Sequence, residues 1–84
     1  MSKEQRGNSR AHVLRRARIV FARGHSSIDC VVLDVSPGGA RLRVGFLPEL
    51  PDRFELRMEQ GPVYEARVRL RRLGEIGVEF VEDE

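Results

Sequence analysis

The feature that most restricts how this chain can fold is an alternation of apolar and charged residues with a period of two. It is plainest in "ARLRV", residues 40–44, where Ala40, Leu42 and Val44 alternate with Arg41 and Arg43. "RFELRM" repeats it with Phe54, Leu56 and Met58, and "ARVRLR" sets Ala66, Val68 and Leu70 against Arg67, Arg69 and Arg71. Successive side chains of a strand point to opposite faces, so this period marks a half-buried β-strand; an amphipathic helix would repeat every three or four residues. Ala17, Ile19 and Phe21 in "ARIVFA", and Val78 and Phe80 in "IGVEFV", follow the same pattern. "IDCVVLDVS" is the most apolar run and is rich in β-branched residues, which predicts a long central strand.

Turn residues separate these runs. "RGHSS", "QGP" and "LGE" predict tight turns, and "GFLPELPD" a loop with two prolines and room for one short turn of helix. Six strands at this spacing, with no long helix, point to a sandwich or a barrel. An open sheet this small would expose one apolar face and two edges. Closing it into a six-stranded antiparallel β-barrel removes both, so the expected class is all-β. Residues 1–15 show no clean period, and Gly7, Asn8 and Ser9 interrupt any helix. The expected organisation is therefore a flexible basic arm over residues 1–15 and a barrel over 16–84, with the acidic "EDE" end frayed.

At 84 residues the chain is one domain. Such a chain buries only about 60% of the surface its unfolded form exposes, which leaves little material for a deep enzyme cleft. No apolar run approaches the roughly 18 residues of a membrane span, and "MSKEQRGNSR" lacks the apolar stretch of a secretory signal. No membrane insertion and a cytoplasmic location are expected. One cysteine, Cys30, rules out an internal disulfide and a multi-cysteine zinc site; His12 and His25 lack partners for a metal. Neither metal nor cofactor is expected.

The net charge of +2 hides an asymmetry. Residues 1–25 carry Lys3, Arg6, Arg10, Arg15, Arg16, Arg18 and Arg23 against Glu4, which sums to +6. Residues 26–84 carry eight arginines against twelve acids, which sums to −4. A basic arm on such a body suits an anionic partner, or serves solubility alone. Fourteen of the fifteen basic residues are arginine, whose planar fork matches phosphate and guanine edges; lysine would suffice for solubility.

"DVSPGG", residues 34–39, is richer than a strand connection requires. Asp34 and Ser36 share one face, and if Val31, Leu33 and Val35 are core, that face is the outside of the barrel. Pro37 and Gly38 form the turn, glycine permitting positive φ. The second glycine, Gly39, marks close approach by another group, backbone or ligand.

"RGNSR" (Arg6 to Arg10) followed by "DVSPGG" resembles the two-part signature of PilZ domains, an RxxxR pair and then a [D/N]xSxxG motif. "RVRLRRLGEIGVEF" resembles the family's closing strands, so the likeness runs from about Arg6 to Val81. The resemblance implies a six-stranded antiparallel barrel that binds the bacterial second messenger cyclic di-GMP. Carried over by position, its ligand-binding residues are Arg6, Arg10, Asp34, Ser36 and Gly39. Leu70 stands where many members have tryptophan, and the chain stops soon after its last strand, which implies little or no C-terminal helix.

The chemistry of the residues agrees with that ligand. Phosphates suit guanidinium forks, and guanine offers O6 and N7 to an arginine edge and its face to an arginine plane. Asp34 is a candidate acceptor for guanine N1 and N2 hydrogens, Ser36 a candidate to orient Asp34 or touch ligand, and Gly39 leaves space on the strand. The arm would fold over the ligand and clamp it. A single-domain receptor also implies a downstream protein, unidentified by the sequence.

Other readings compete. Asp34 and Ser36 serve equally to brace the turn through backbone N–H groups. Arg71 and Arg72 read as solvated strand-end charges, and Arg41 and Arg43 as outer face. A triad of Asp34, Ser36 and His12 lacks a nucleophile-elbow pattern, so no enzyme is expected. A barrel for single-stranded nucleic acid would need stacking aromatics, yet most of Phe21, Phe46, Phe54, Tyr64 and Phe80 have core parity. A PilZ-like protein adaptor without nucleotide binding is the remaining alternative.

Overall fold

A computed structural model describes residues 11–45 and 50–81, with the backbone alone described for residues 11–13. The alternating runs form six strands: β1 (Ala11–Phe21), β2 (Ser26–Ser36), β3 (Gly39–Arg43), β4 (Arg53–Met58), β5 (Val63–Arg72) and β6 (Glu75–Phe80). They pair in the order β1-β2-β3-β6-β5-β4, and β4 returns to β1 to close the barrel. Every pairing is antiparallel. No helix among the described residues is long and apolar enough to cross a membrane.

The barrel is held by one layer of side chains on its axis. Each strand contributes a residue that is 0% exposed: Ile19, Val32, Leu42, Leu56, Ala66 and Ile76 in chain order. Ala17, Cys30, Ala40, Val44, Phe54, Met58 and Val78 extend the same core toward both ends. Burying such side chains stabilises the fold by about 1.5–3 kcal/mol each for the larger aliphatic ones. Tyr64 and Phe80 stack face to face with centroids 4.0 Å apart and lean on this core.

Three β-bulges change what alternation alone predicts. The first lies between His12 and Arg15. Residues 11–15, read from the sequence as arm, pair in β1, and the bulge removes the alternation that would have revealed them. Residues 1–10 lie outside the described residues.

The second bulge, at Leu33, reverses parity within β2. Cys30 and Val32 point inward before it, and Val35 packs on the core after it. The expected inward set of Val31, Leu33 and Val35 is therefore wrong at Val31, which is half-buried on the outer wall between Arg16 and Arg43. Leu33 itself is buried.

The third bulge, between Val68 and Leu70, reverses β5. Leu70 was expected in the core; it is 48% exposed. Arg71 takes the other side, opposite Ile76. Its Nη2 donates to the Leu50 carbonyl at 3.1 Å and to Asp52 Oδ1 at 3.2 Å. Arg71 is thus a tie between β5 and the segment entering β4, not a solvated strand-end charge.

The β1–β2 connection is left-handed. Ala22 (φ 54°), Arg23 (φ 57°) and Gly24 (φ 87°) follow one another. Gly24 N–H donates to the Phe21 carbonyl at 3.1 Å and His25 N–H to the Ala22 carbonyl at 3.0 Å. Such a turn matches strand twist, but a residue with a Cβ is strained there. Placing Asn at 22 and Gly at 23 (Ala22→Asn, Arg23→Gly) is expected to raise stability by about 1 kcal/mol, read as a higher urea midpoint at unchanged m.

Cys30 faces the core and is 4% exposed. Burial, with a smaller contribution from the Asp29 carboxylate, pushes its thiol from the ordinary 9.0 up to about 12. The folded chain keeps a proton that the unfolded chain releases, so this contribution to stability is complete below pH 9 and is lost as pH rises toward 12. Alkylation at pH 8 is expected to proceed only at the rate of global opening, with labelling becoming prompt in denaturant; prompt labelling of the native chain would contradict the packing.

Candidate functional site

The β2–β3 hairpin carries the "DVSPGG" motif. Ser36 pairs with Gly39, Val35 with Ala40 and Asp34 with Arg41, so a two-residue turn at Pro37 and Gly38 fixes the register. The bulge at Leu33 sends Asp34 and Ser36 to the outer wall, as expected for them. The turn forms without positive φ at Gly38; the described glycines with positive φ are Gly24 and Gly74.

Asp34 lies on the outer wall yet is only 1% exposed. It is the buried charged residue of the described barrel, and a buried carboxylate requires compensation. Arg41 supplies part of it. Arg41 Nε donates to Asp34 Oδ2 at 3.0 Å, and Nη2 lies 2.9 Å from the same oxygen. On the far side, Arg41 Nη1 is 3.3 Å from Glu75 Oε2. The guanidinium therefore lies between carboxylates of β2 and β6, held in plane on β3. Its side chain remains 45% exposed.

Ser36 and Gly39 shape the turn. Ser36 Oγ donates to the Gly39 carbonyl at a long 3.4 Å. The bracing reading assigned backbone N–H partners to Asp34 and Ser36; the contact found for Ser36 goes to a carbonyl, while Asp34 holds the Arg41 guanidinium. Phe80 N–H donates to the Gly38 carbonyl at 2.8 Å, tying the end of β6 to the turn. A Cβ on Gly39 would overlap the Val78 carbonyl oxygen and lie 3.1 Å from Glu79 Cα. The group that approaches Gly39 closely is thus the β6 backbone.

The structure brings Asp34, Ser36 and Gly39 together on one hairpin. Arg6 and Arg10, the other sequence-predicted site residues, lie outside the described residues. Sequence reasoning placed Arg41 on an outer face without a role and passed over Glu75. The pairing of Asp34 with Arg41 was accessible, because a two-residue turn at 37 and 38 makes 34 and 41 opposite by counting. Glu75 was not, since its position beside Arg41 depends on the non-sequential β3–β6 pairing.

With this geometry in hand, the chain can be set beside known proteins. The family model of the PilZ domain matches residues 4–84. The chain belongs to the PilZ domain family. The crystal structure of the PilZ domain of CeSA from a cellulose-synthesizing bacterium is similar to it, with a TM-score of 0.69 at 18% identity. That similarity covers 92% of this chain and 84% of the other, and it bears on fold. No curated protein matches the chain. PilZ domains are binding and adaptor domains, a family known for binding cyclic di-GMP. In this PilZ domain "DVSPGG" forms the end of β2, the turn and the start of β3.

The wall makes a specific demand at Gly39. Gly39→Ala would force β3 away from β6, and overpacking of this kind costs about 1–3 kcal/mol. A fall of that size in urea-derived stability is expected, with Gly38→Ala, where the added Cβ meets nothing within 4 Å, losing far less.

Proposed function

We propose that this PilZ domain binds cyclic di-GMP between the RxxxR pair, Arg6 and Arg10, and the wall formed by Asp34, Ser36 and Gly39. The observation that carries this reading is a register. Ala11, the first residue of β1, pairs with Val35 at the centre of "DVSPGG". One Cα step, about 3.8 Å, joins Arg10 to Ala11, so the chain from β1 can deliver Arg10 to the motif. No long loop has to close to bring the two halves of the signature together.

The parts divide the work by their chemistry. Arg6 and Arg10 supply guanidinium forks for phosphate oxygens or guanine edges. Asp34 acts largely through Arg41: one carboxylate oxygen holds the guanidinium in place on the wall. Arg41 then presents a fixed plane on which a guanine can lie. Ser36 lends a hydroxyl at the turn. Gly39 keeps the wall low there, and its own requirement comes from β6. The bound arm would alter the surface that a downstream protein meets, which makes the domain a receptor and adaptor without catalysis.

Single-stranded nucleic acid fits less well. Among the described aromatics, Phe54 is buried, Tyr64 and Phe80 are stacked on each other, and Phe21 packs on the core. None of them offers the free stacking platform such binding uses.

Calorimetric titration tests the reading. Each hydrogen bond to a charged group contributes about 1.5–3 kcal/mol, so Arg10→Ala should weaken cyclic di-GMP binding by about ten-fold or more. GTP and a single-stranded oligonucleotide should give no comparable heat. Unchanged affinity in Arg10→Ala, at wild-type thermal stability, would exclude the clamp.

A further inference from the structure

A second charged feature of the barrel lies away from "DVSPGG". A cleft of about 770 Å³ opens on the β1 side of the wall and contains none of Asp34, Ser36 or Gly39. Its charged lining is Arg16, Arg18, Arg43 and Arg57 with Asp29 and Glu59. It adjoins a second recess of about 650 Å³ that shares Arg18 and Asp29 and continues to Ser27 and Ile28. Together they make one groove.

The arrangement of arginines there works against the fold. Arg18 and Arg57 are directly opposite across β1 and β4. Like charges in that relation destabilise a sheet. Arg16 and Arg43 flank Val31 from either side, and neither has a carboxylate within 4.0 Å among the described residues. Arg18 reaches Asp29 only at 3.5 Å, with side chains 61% and 88% exposed. Among the described residues four arginines and two acids line the cleft; Arg57 Nε also bonds Glu55 Oε1 at 2.8 Å, so the uncompensated charge sits on Arg16 and Arg43. A local surplus of guanidinium groups that costs stability calls for an anionic occupant.

We propose that this groove docks an extended acidic segment of a protein partner. Guanidinium groups on β1 and β3, on either side of Val31, suit a chain bearing several carboxylates better than a single phosphate. Val31 offers a half-buried apolar spot between Arg16 and Arg43, which fits an alternating acidic and apolar peptide. Among the described residues no aromatic side chain lines the cleft to stack the bases of a nucleic acid. The inference shares with the proposed function only the existence of a protein partner; it does not require nucleotide binding.

The test uses the full chain and a fluorescein-labelled peptide of alternating glutamate and leucine, read by anisotropy at about 50 mM salt, where exposed charges are least screened. Two changes are expected to weaken binding by about ten-fold each: glutamine for glutamate in the peptide, and the pair Arg16→Gln with Arg43→Gln in the protein. The control pair Arg67→Gln with Arg72→Gln removes the same charge from β5, outside the cleft, and should stay within about two-fold. Equal binding by the Arg16/Arg43 variant, an equal loss in the control pair, or tighter binding of a single-stranded DNA of matched charge would each overturn the proposal. Cyclic di-GMP affinity is measured in the same samples. Peptide binding retained by a chain that ignores the nucleotide supports the groove and counts only against the clamp.

Discussion

A barrel of only six strands encloses a narrow axis filled by side chains, and that limit governs the rest of this molecule. Ile19, Val32, Leu42, Leu56, Ala66 and Ile76 occupy the axis, one from each strand, and none is accessible to solvent. Nothing else of size can enter. Every charged group must be turned outward or carried to an end of the barrel, and the bulges accomplish this. The break at Leu33 puts Asp34 on the wall, and the break before Leu70 sends Arg71 to the end of β5, where it meets Leu50 and Asp52.

The wall that results is charged, yet its charges are not equivalent. Arg41 is fixed by carboxylates of two neighbouring strands, one of them buried. A buried ion pair is weak evidence for net stability, because desolvation offsets much of the attraction. It does restrict conformation, and a restricted guanidinium loses less entropy when a flat ligand settles on it. The exposed pairs, such as Arg53 with Glu65 and Arg69 with Glu79, are of the kind that contributes about 0–1 kcal/mol. The contrast separates a prepared surface from a merely solvated one.

How much of this was legible beforehand depends on whether alternation was intact. β3 and β4 follow a clean period of two, and their inward residues are those the sequence indicates. β1, β2 and β5 each contain an extra residue, and parity read straight through it misplaces Val31 and Leu70. A bulge is a backbone event that leaves little trace in residue type, so hydropathy cannot locate it. Gly39 was legible as a point of close approach, while the identity of the approaching group was not, because β6 is distant in the chain. Asp34 was recognisable by its motif; its near-complete burial is a property of the assembled wall.

The extra residue at Leu33 has a consequence for how this domain can vary. A strand without it would carry its inside and outside reversed from that point to the turn. Losing one amino acid there would aim a carboxylate at the aliphatic axis and lift Val35 into water. Substitutions along β2 are graded in their effects, whereas a change of length at this place is all or nothing. Among descendants of this chain, insertions and deletions should therefore accumulate in the connections and spare the middle of β2.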